Sequence, residues 1–68
     1  MQVFNDVEAA KFLGLKPQTL RNLRCYRKGP PYLKLGRAVR YLRADLEAYL
    51  ARHRVVPEGQ EKVVGGNE

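Results

Sequence analysis

The first apolar pattern in the chain has helical spacing and predicts a helix over residues 6–13. Ala9 and Ala10 lie on its apolar face, where two small side chains permit close approach by a second helix. Asn5 and Glu8 have the spacing of a capping box, in which each side chain bonds the backbone N–H of the other. We interpret the alanine face as a packing surface.

A second helix is predicted over residues 17–27, after a tight turn marked by Gly14. Pro17 suits its first turn, because a helix start has no use for the missing N–H. Leu20 and Leu23 form a narrow apolar seam on this helix. The opposite face carries polar side chains and a thiol: Gln18, Arg21, Asn22 and Cys25.

A Gly-Pro-Pro sequence stops the second helix, and the alternation that follows predicts a two-stranded hairpin over residues 32–41. Gly36 and Arg37 stand at its turn. We expect four apolar side chains on one face: Leu33, Leu35, Val39 and Tyr41. Lys34 and Arg40 are expected together on the opposite, basic face.

A third helix is predicted over residues 43–53 by one apolar stripe: Leu42, Leu46, Tyr49, Leu50 and His53. The pattern lapses after it, so we predict a domain over residues 1–54 and a flexible tail over residues 55–68. The order is helix, tight turn, helix, hairpin, helix. This order predicts a mainly α fold with a small β-hairpin, a winged helix-turn-helix.

Composition narrows the function classes. Sixty-eight residues allow one small domain with little room for a deep catalytic pocket. The chain has no serine, one cysteine (Cys25) and one histidine (His53), which excludes serine hydrolysis and argues against a Cys/His zinc cluster. We therefore expect no enzyme activity, no metal and no cofactor. The absence of a long apolar run or a leader, together with the lone cysteine, predicts a cytoplasmic protein without a membrane partner.

Positive charge is concentrated in the middle of the sequence. Residues 16–44 carry nine basic and no acidic residues, although the whole chain has a net charge of only +6. A solvated surface usually mixes charges of both signs, so an unrelieved basic block favours a polyanion partner over a merely soluble face. Double-stranded DNA is the partner we expect, because this block spans the second helix and the hairpin.

Seven short segments carry a family resemblance that covers residues 4–51: Glu8-Ala9-Ala10, Phe12-Leu13-Gly14, Thr19-Leu20-Arg21-Asn22-Leu23-Arg24, Gly29-Pro30-Pro31-Tyr32, Lys34-Leu35-Gly36-Arg37, Val39-Arg40-Tyr41 and Asp45-Leu46-Glu47. In combination they resemble the excisionase-like, AlpA-type helix-turn-helix proteins, which are related in fold to the winged DNA-binding domain of MerR-type regulators. The resemblance implies sequence-specific DNA binding by a small regulator or excisionase of a phage or mobile element. It places the second helix in the major groove and makes the hairpin the wing.

The chain also departs from that family. Many members have Ser or Thr where Lys16 stands, and many have tryptophan in place of Leu23 and Tyr49. MerR-type regulators continue into a long dimerisation helix and an effector domain, for which this sequence is too short, so we expect no inducer sensing.

Three residues on the outward face of the second helix are candidate base readers. Arg21 can pair with guanine, and Gln18 and Asn22 with adenine, in the major groove. The alternative is a polar helix face without base contacts. Cys25 is interpreted as a small residue tolerated near DNA rather than as a reactive thiol.

The remaining candidates are expected at the DNA backbone. On and around the second helix they are Lys16, Thr19, Arg24, Arg27 and Lys28. On the wing, Lys34, Arg37 and Arg40 are expected at phosphates or in the minor groove, the alternative being a solvated hairpin.

Other partners and functions remain open from the sequence. Cooperative binding by a second copy is one expectation, because a single module has a small footprint. An integrase or recombinase, or RNA polymerase, is a further candidate partner. The alternative functions are a DNA-packaging adaptor such as a terminase small-subunit domain, and an RNA-binding module, although the latter favours exposed aromatics over the basic strands seen here.

Overall fold

The computed structural model of the chain describes residues 2–57. Its elements are, in chain order, β1 (Val3–Phe4), α1 (Asp6–Leu13), α2 (Pro17–Cys25), β2 (Leu33–Leu35), β3 (Ala38–Leu42) and α3 (Arg43–Arg52). Three helices with a small antiparallel sheet confirm the winged helix-turn-helix prediction. Residues 55–57 are exposed and outside any helix or strand, and the rest of the predicted tail, residues 58–68, lies outside the described residues.

The predicted capping box starts α1. The Glu8 backbone N–H donates to Asn5 Oδ1 at 2.8 Å, and the Asn5 N–H donates to Glu8 Oε1 at 2.9 Å. Gly14 ends the helix with φ 75°, in the left-handed region that glycine enters without a Cβ penalty. Local chemistry therefore fixes both ends of α1.

The second helix is shorter than predicted. α2 begins at Pro17 without a side-chain cap from Lys16, and it ends at Cys25 rather than at residue 27. Arg27 has φ 59°, and the Lys28 N–H donates to the Leu23 carbonyl at 2.9 Å. This is the bond of a Schellman motif, which usually has glycine at the left-handed position. An arginine there gives no sequence signal for the helix end.

The sheet has three strands, in the order β1-β3-β2: the predicted hairpin forms from β2 and β3, and the sequence prediction missed β1. β1 pairs antiparallel with β3, Val3 opposite Leu42 and Phe4 opposite Tyr41. β1 has only two residues, too few to show an alternating apolar pattern in the sequence. It forms because its backbone can pair with the edge of β3. The third helix begins at residue 43 as predicted and ends one residue early, at Arg52, with the exposed His53 as its C-cap; Leu42, which the predicted apolar stripe included, ends β3.

The hairpin register contradicts the predicted faces. The opposed pairs are Leu33↔Arg40, Lys34↔Val39 and Leu35↔Ala38. Opposed residues of an antiparallel pair share a face, so Lys34 lies with Val39 and Tyr41, whereas Arg40 lies with the two leucines. The loop between the two strands has two residues, Gly36-Arg37, and this length determines which residues share a face. Lys34 and Arg40 therefore lie on opposite faces of the sheet.

The core joins both helices of the helix-turn-helix to the sheet and α3. Five side chains are fully buried: Ala9, Ala10, Leu20, Tyr41 and Leu46. The alanines confirm the packing interpretation of α1. Because α2, β3 and α3 each contribute one large residue to this small core, the core fixes where α2 presents its outer face.

Candidate nucleic-acid interface

The outward face of α2 is exposed, as predicted. It consists of Gln18, Thr19, Arg21, Asn22 and Cys25. Gln18 Nε2 donates to Asn22 Oδ1 at 3.0 Å, which aligns the two amides one helical turn apart. The remaining amide donors and acceptors face solvent and suit the edge of an adenine.

An acidic residue of α1 organises the arginines of α2. Arg21 Nε donates to Asp6 Oδ2 at 3.2 Å, and Arg24 Nη1 donates to Asp6 Oδ1 at 2.8 Å. The same Arg24 Nη1 donates to the Tyr41 hydroxyl at 2.9 Å. Sequence reasoning missed Asp6, which is one of the two acidic residues before the basic block. Its carboxylate ties α1, α2 and, through Arg24, the sheet together.

Burial and the hydrogen bonds within this cluster shift the pKa values of Asp6, Arg24 and Tyr41. Partial burial raises the pKa of Asp6, but the hydrogen bonds and charges of Arg24 and Arg21 outweigh it, so the pKa lies below its ordinary value of 3.8. Burial lowers the pKa of Arg24, and its bonds to Tyr41 and Asp6 reverse that effect and raise it. Burial raises the pKa of Tyr41, only partly offset by Arg24. All three groups therefore keep fixed charge states around neutral pH.

Arg21 and Arg24 consequently differ in what they can offer a ligand. Arg24 is only 22% exposed, and its guanidinium carbon lies 5.7 Å from the centre of the Tyr32 ring. Arg21 is 44% exposed and holds Asp6 through Nε. Arg21 thus keeps its terminal amino groups for a base edge, and Arg24 is mainly a structural crosslink.

Basic residues extend on both sides of the α2 face. Lys16 precedes the helix, Arg27 and Lys28 follow it, and all three are exposed. On the wing, Lys34 and Arg37 are also exposed. Arg40 is half-buried, with Nη1 donating to the Val39 carbonyl at 2.8 Å, so it is the least available of the predicted wing residues.

Most of the basic block has no acidic partner. Of its nine charges, only Arg21, Arg24 and Arg43 form an ion pair within residues 2–57. The six others are Lys16, Arg27, Lys28, Lys34, Arg37 and Arg40. Cations without a carboxylate partner are the groups that DNA phosphates can neutralise most readily.

Comparison with known proteins agrees with this architecture. A family model described as a helix-turn-helix domain matches residues 5–54, which include α1, α2, the hairpin and α3. The chain belongs to this helix-turn-helix family. No curated protein matches the chain. The helix-turn-helix domain indicates double-stranded DNA as its partner.

Within residues 2–57, no cluster of three or more His, Cys, Asp or Glu side chains has the geometry of a metal site. Cys25 is exposed and carries a free thiol. None of the helices described here has the length and apolar character needed to cross a membrane.

Proposed function

We propose that this protein binds double-stranded DNA sequence-specifically, with α2 in the major groove and the hairpin as a wing on the backbone or minor groove. The observation that carries the proposal is the exposed arginine and amide face of α2. It stands on a helix-turn-helix domain and is flanked by basic residues that have no acidic partner within residues 2–57.

Gln18, Arg21 and Asn22 supply the base contacts in this proposal. Their side chains offer the donor and acceptor pairs that read purine edges. Asp6 holds Arg21 at Nε and so limits the rotamers that Arg21 can adopt. A side chain that is already oriented loses less conformational entropy on binding.

The cations without acidic partners supply the affinity that does not depend on sequence. Lys16, Arg27 and Lys28 lie at the two ends of α2, and Lys34 and Arg37 lie on the wing. We assign Arg40 a weaker contribution, because its guanidinium is folded onto the Val39 carbonyl. Such contacts fix the orientation of a protein on the duplex.

In the cell, we propose the role of a small transcriptional regulator or of an excisionase that directs a recombinase. The motif combination described above supports this role. A single module buries roughly 600–1,000 Å² on DNA, so cooperative binding of several copies to tandem or inverted sites suits it. The proposed function is non-catalytic, and recombinase or RNA polymerase is the protein partner we propose.

A salt titration of duplex binding tests this proposal. Five to seven neutralised phosphates predict a slope of log K against log salt of about −4.5 to −6. Fluorescence anisotropy on a labelled duplex, repeated across salt concentrations, measures that slope. A slope near zero on every duplex, including the best sequence selected from a random library, would refute DNA binding as the function.

A further inference from the structure

A cleft of about 520 Å³ opens beside the C-terminal end of α2. Its lining residues are Arg24, Arg27, Gly29, Pro30, Pro31, Tyr32 and Arg52. Among the described residues, three guanidinium groups and no carboxylate line the same space, although Arg52 is far from the others in sequence. Like charges gathered in one concave site repel each other and favour an anionic ligand.

The wall of this cleft is held firmly against α2. A Cβ built on Gly29 would lie 3.2 Å from Leu23 Cβ, so only glycine fits this close approach without a shift. Pro30 is buried, and two consecutive prolines restrict the backbone that follows. The cleft therefore needs little ordering when a ligand enters it.

Arg24 is fixed at the base of the cleft. Both of its hydrogen bonds within the described residues use Nη1, one to Asp6 and one to Tyr41. A guanidinium has five N–H donors, so Nε and Nη2 keep donors for a ligand. The Tyr32 ring, 5.7 Å from the guanidinium carbon, forms the adjoining wall.

Arg27 lines the cleft although its backbone conformation is unfavourable for an arginine. Its φ of 59° is left-handed, where an L side chain is less stable than glycine. Residues held in such conformations are concentrated at functional sites. Arg27 is exposed and, like Arg52, has no acidic partner within residues 2–57. Arg27 is exposed and not part of the core, and an anion bound in the cleft would account for an arginine at this position.

We propose that this cleft is a phosphate site for the DNA backbone, in which Arg27 and Arg52 donate to one phosphodiester beside Arg24. The inference rests on the proposed function and extends it. It adds α3, through Arg52, as a third DNA-contacting element besides α2 and the wing. A phosphate held at the end of α2 sets how far that helix enters the groove.

Single-charge variants of the full chain test the cleft. Arg52→Gln and Arg27→Gly each remove one cleft charge, and glycine also suits the left-handed backbone, so the fold is retained. Each should weaken binding to selected and random duplexes alike, by roughly five- to tenfold at 0.1 M salt, and flatten the salt slope by about 0.9. Lys11→Gln is the matched control, because it removes one exposed charge from α1, outside the cleft. Its slope should equal that of the wild type.

The outcomes separate this site from the proposed function. If the wild type shows the steep slope but Arg52→Gln behaves like Lys11→Gln, the cleft does not hold the DNA backbone. If the wild type lacks salt-dependent binding, the proposed function fails and the DNA ligand of the cleft fails with it. Inorganic phosphate, titrated at constant ionic strength and followed by NMR at Tyr32, distinguishes a second source. Saturation there with an unchanged Arg52→Gln slope would assign the cleft to a free phosphate compound and overturn the proposal.

Discussion

At the scale of single residues, Asp6 has the largest influence on how α2 is presented. Each of its two carboxylate oxygens accepts a hydrogen bond from one arginine of α2. One of these, Arg24, also donates to the Tyr41 hydroxyl. The side chains of Asp6 and Arg24 are 21% and 22% exposed, so solvent screens their pair less than it screens a surface pair. An acidic residue inside the proposed DNA-binding surface thus orders the neighbouring arginines.

Replacing this carboxylate should destabilise the fold. Asp6→Asn leaves Arg24 with a neutral partner, and we expect a loss of about 1–3 kcal/mol in the free energy of unfolding at pH 7. Urea titration measures it. Glu47→Gln is the matched control, because it removes the exposed pair of Glu47 with Arg43 and should cost under about 1 kcal/mol.

The loss should also depend on pH in a defined direction. The pKa of Asp6 is lower in the folded protein than its ordinary value of 3.8, so its ion pairs contribute fully above about pH 4. That contribution disappears as the pH falls through the folded pKa. The stability difference between wild type and Asp6→Asn should therefore close on acidification. A difference that stays constant from pH 7 to pH 2 would show that the charge of Asp6 is not what stabilises the fold.

At the scale of elements, the wing depends on its two-residue turn. Gly36 has φ 65°, whereas Arg37 does not have a positive φ, which is the pattern of a type II′ turn. This turn sets the register that separates Lys34 from Arg40. The wing therefore presents its charge at an exposed tip and on Lys34, instead of along one basic face.

Gly36→Ala tests the turn. A Cβ at this position meets nothing within 4 Å, so the cost comes from the backbone alone. We expect a loss of about 1 kcal/mol in the free energy of unfolding. Gly36→Asn is the comparison variant and should lose less, since asparagine tolerates positive φ better. Equal stability of glycine, alanine and asparagine variants would contradict the turn assignment.

The elements that sequence reasoning predicted well are those with local signals. The capping box, Gly14 and Pro17 placed α1 and the start of α2 correctly, because caps and turn residues act on their immediate neighbours. β1 was missed because it exists only through its pairing with β3. The end of α2 was missed because Arg27 takes a glycine conformation.

The same distinction holds for the candidate site. The exposure of Gln18 and Asn22 follows from helical periodicity, and the structure confirms it. The pairing of Asp6 with Arg24 spans 18 residues, and the approach of Arg52 to Arg27 depends on how α3 packs. Such long-range juxtapositions are set by the tertiary fold and leave no trace in local spacing.

At the scale of the whole molecule, we assign base contacts and phosphate contacts to different parts of the protein. α2 offers amides and one oriented arginine, whereas the wing and the end of α2 offer cations without acidic partners. Base contacts carry sequence information and phosphate contacts do not, so removing one of each should give different losses. Asn22 and Arg37 are suitable positions, because both are exposed.

We propose that α2 reads the DNA sequence and that the wing anchors the chain on the DNA backbone. Binding of Asn22→Ala and Arg37→Ala to a selected site and to random duplex tests it, with melting curves to show that both variants stay folded. Asn22→Ala should lose about 1–3 kcal/mol on the selected site and little on random DNA. Arg37→Ala should weaken both duplexes equally and flatten the salt slope by about one unit. If Asn22→Ala weakened both duplexes equally while Arg37→Ala affected only the selected site, the roles of α2 and the wing would be reversed.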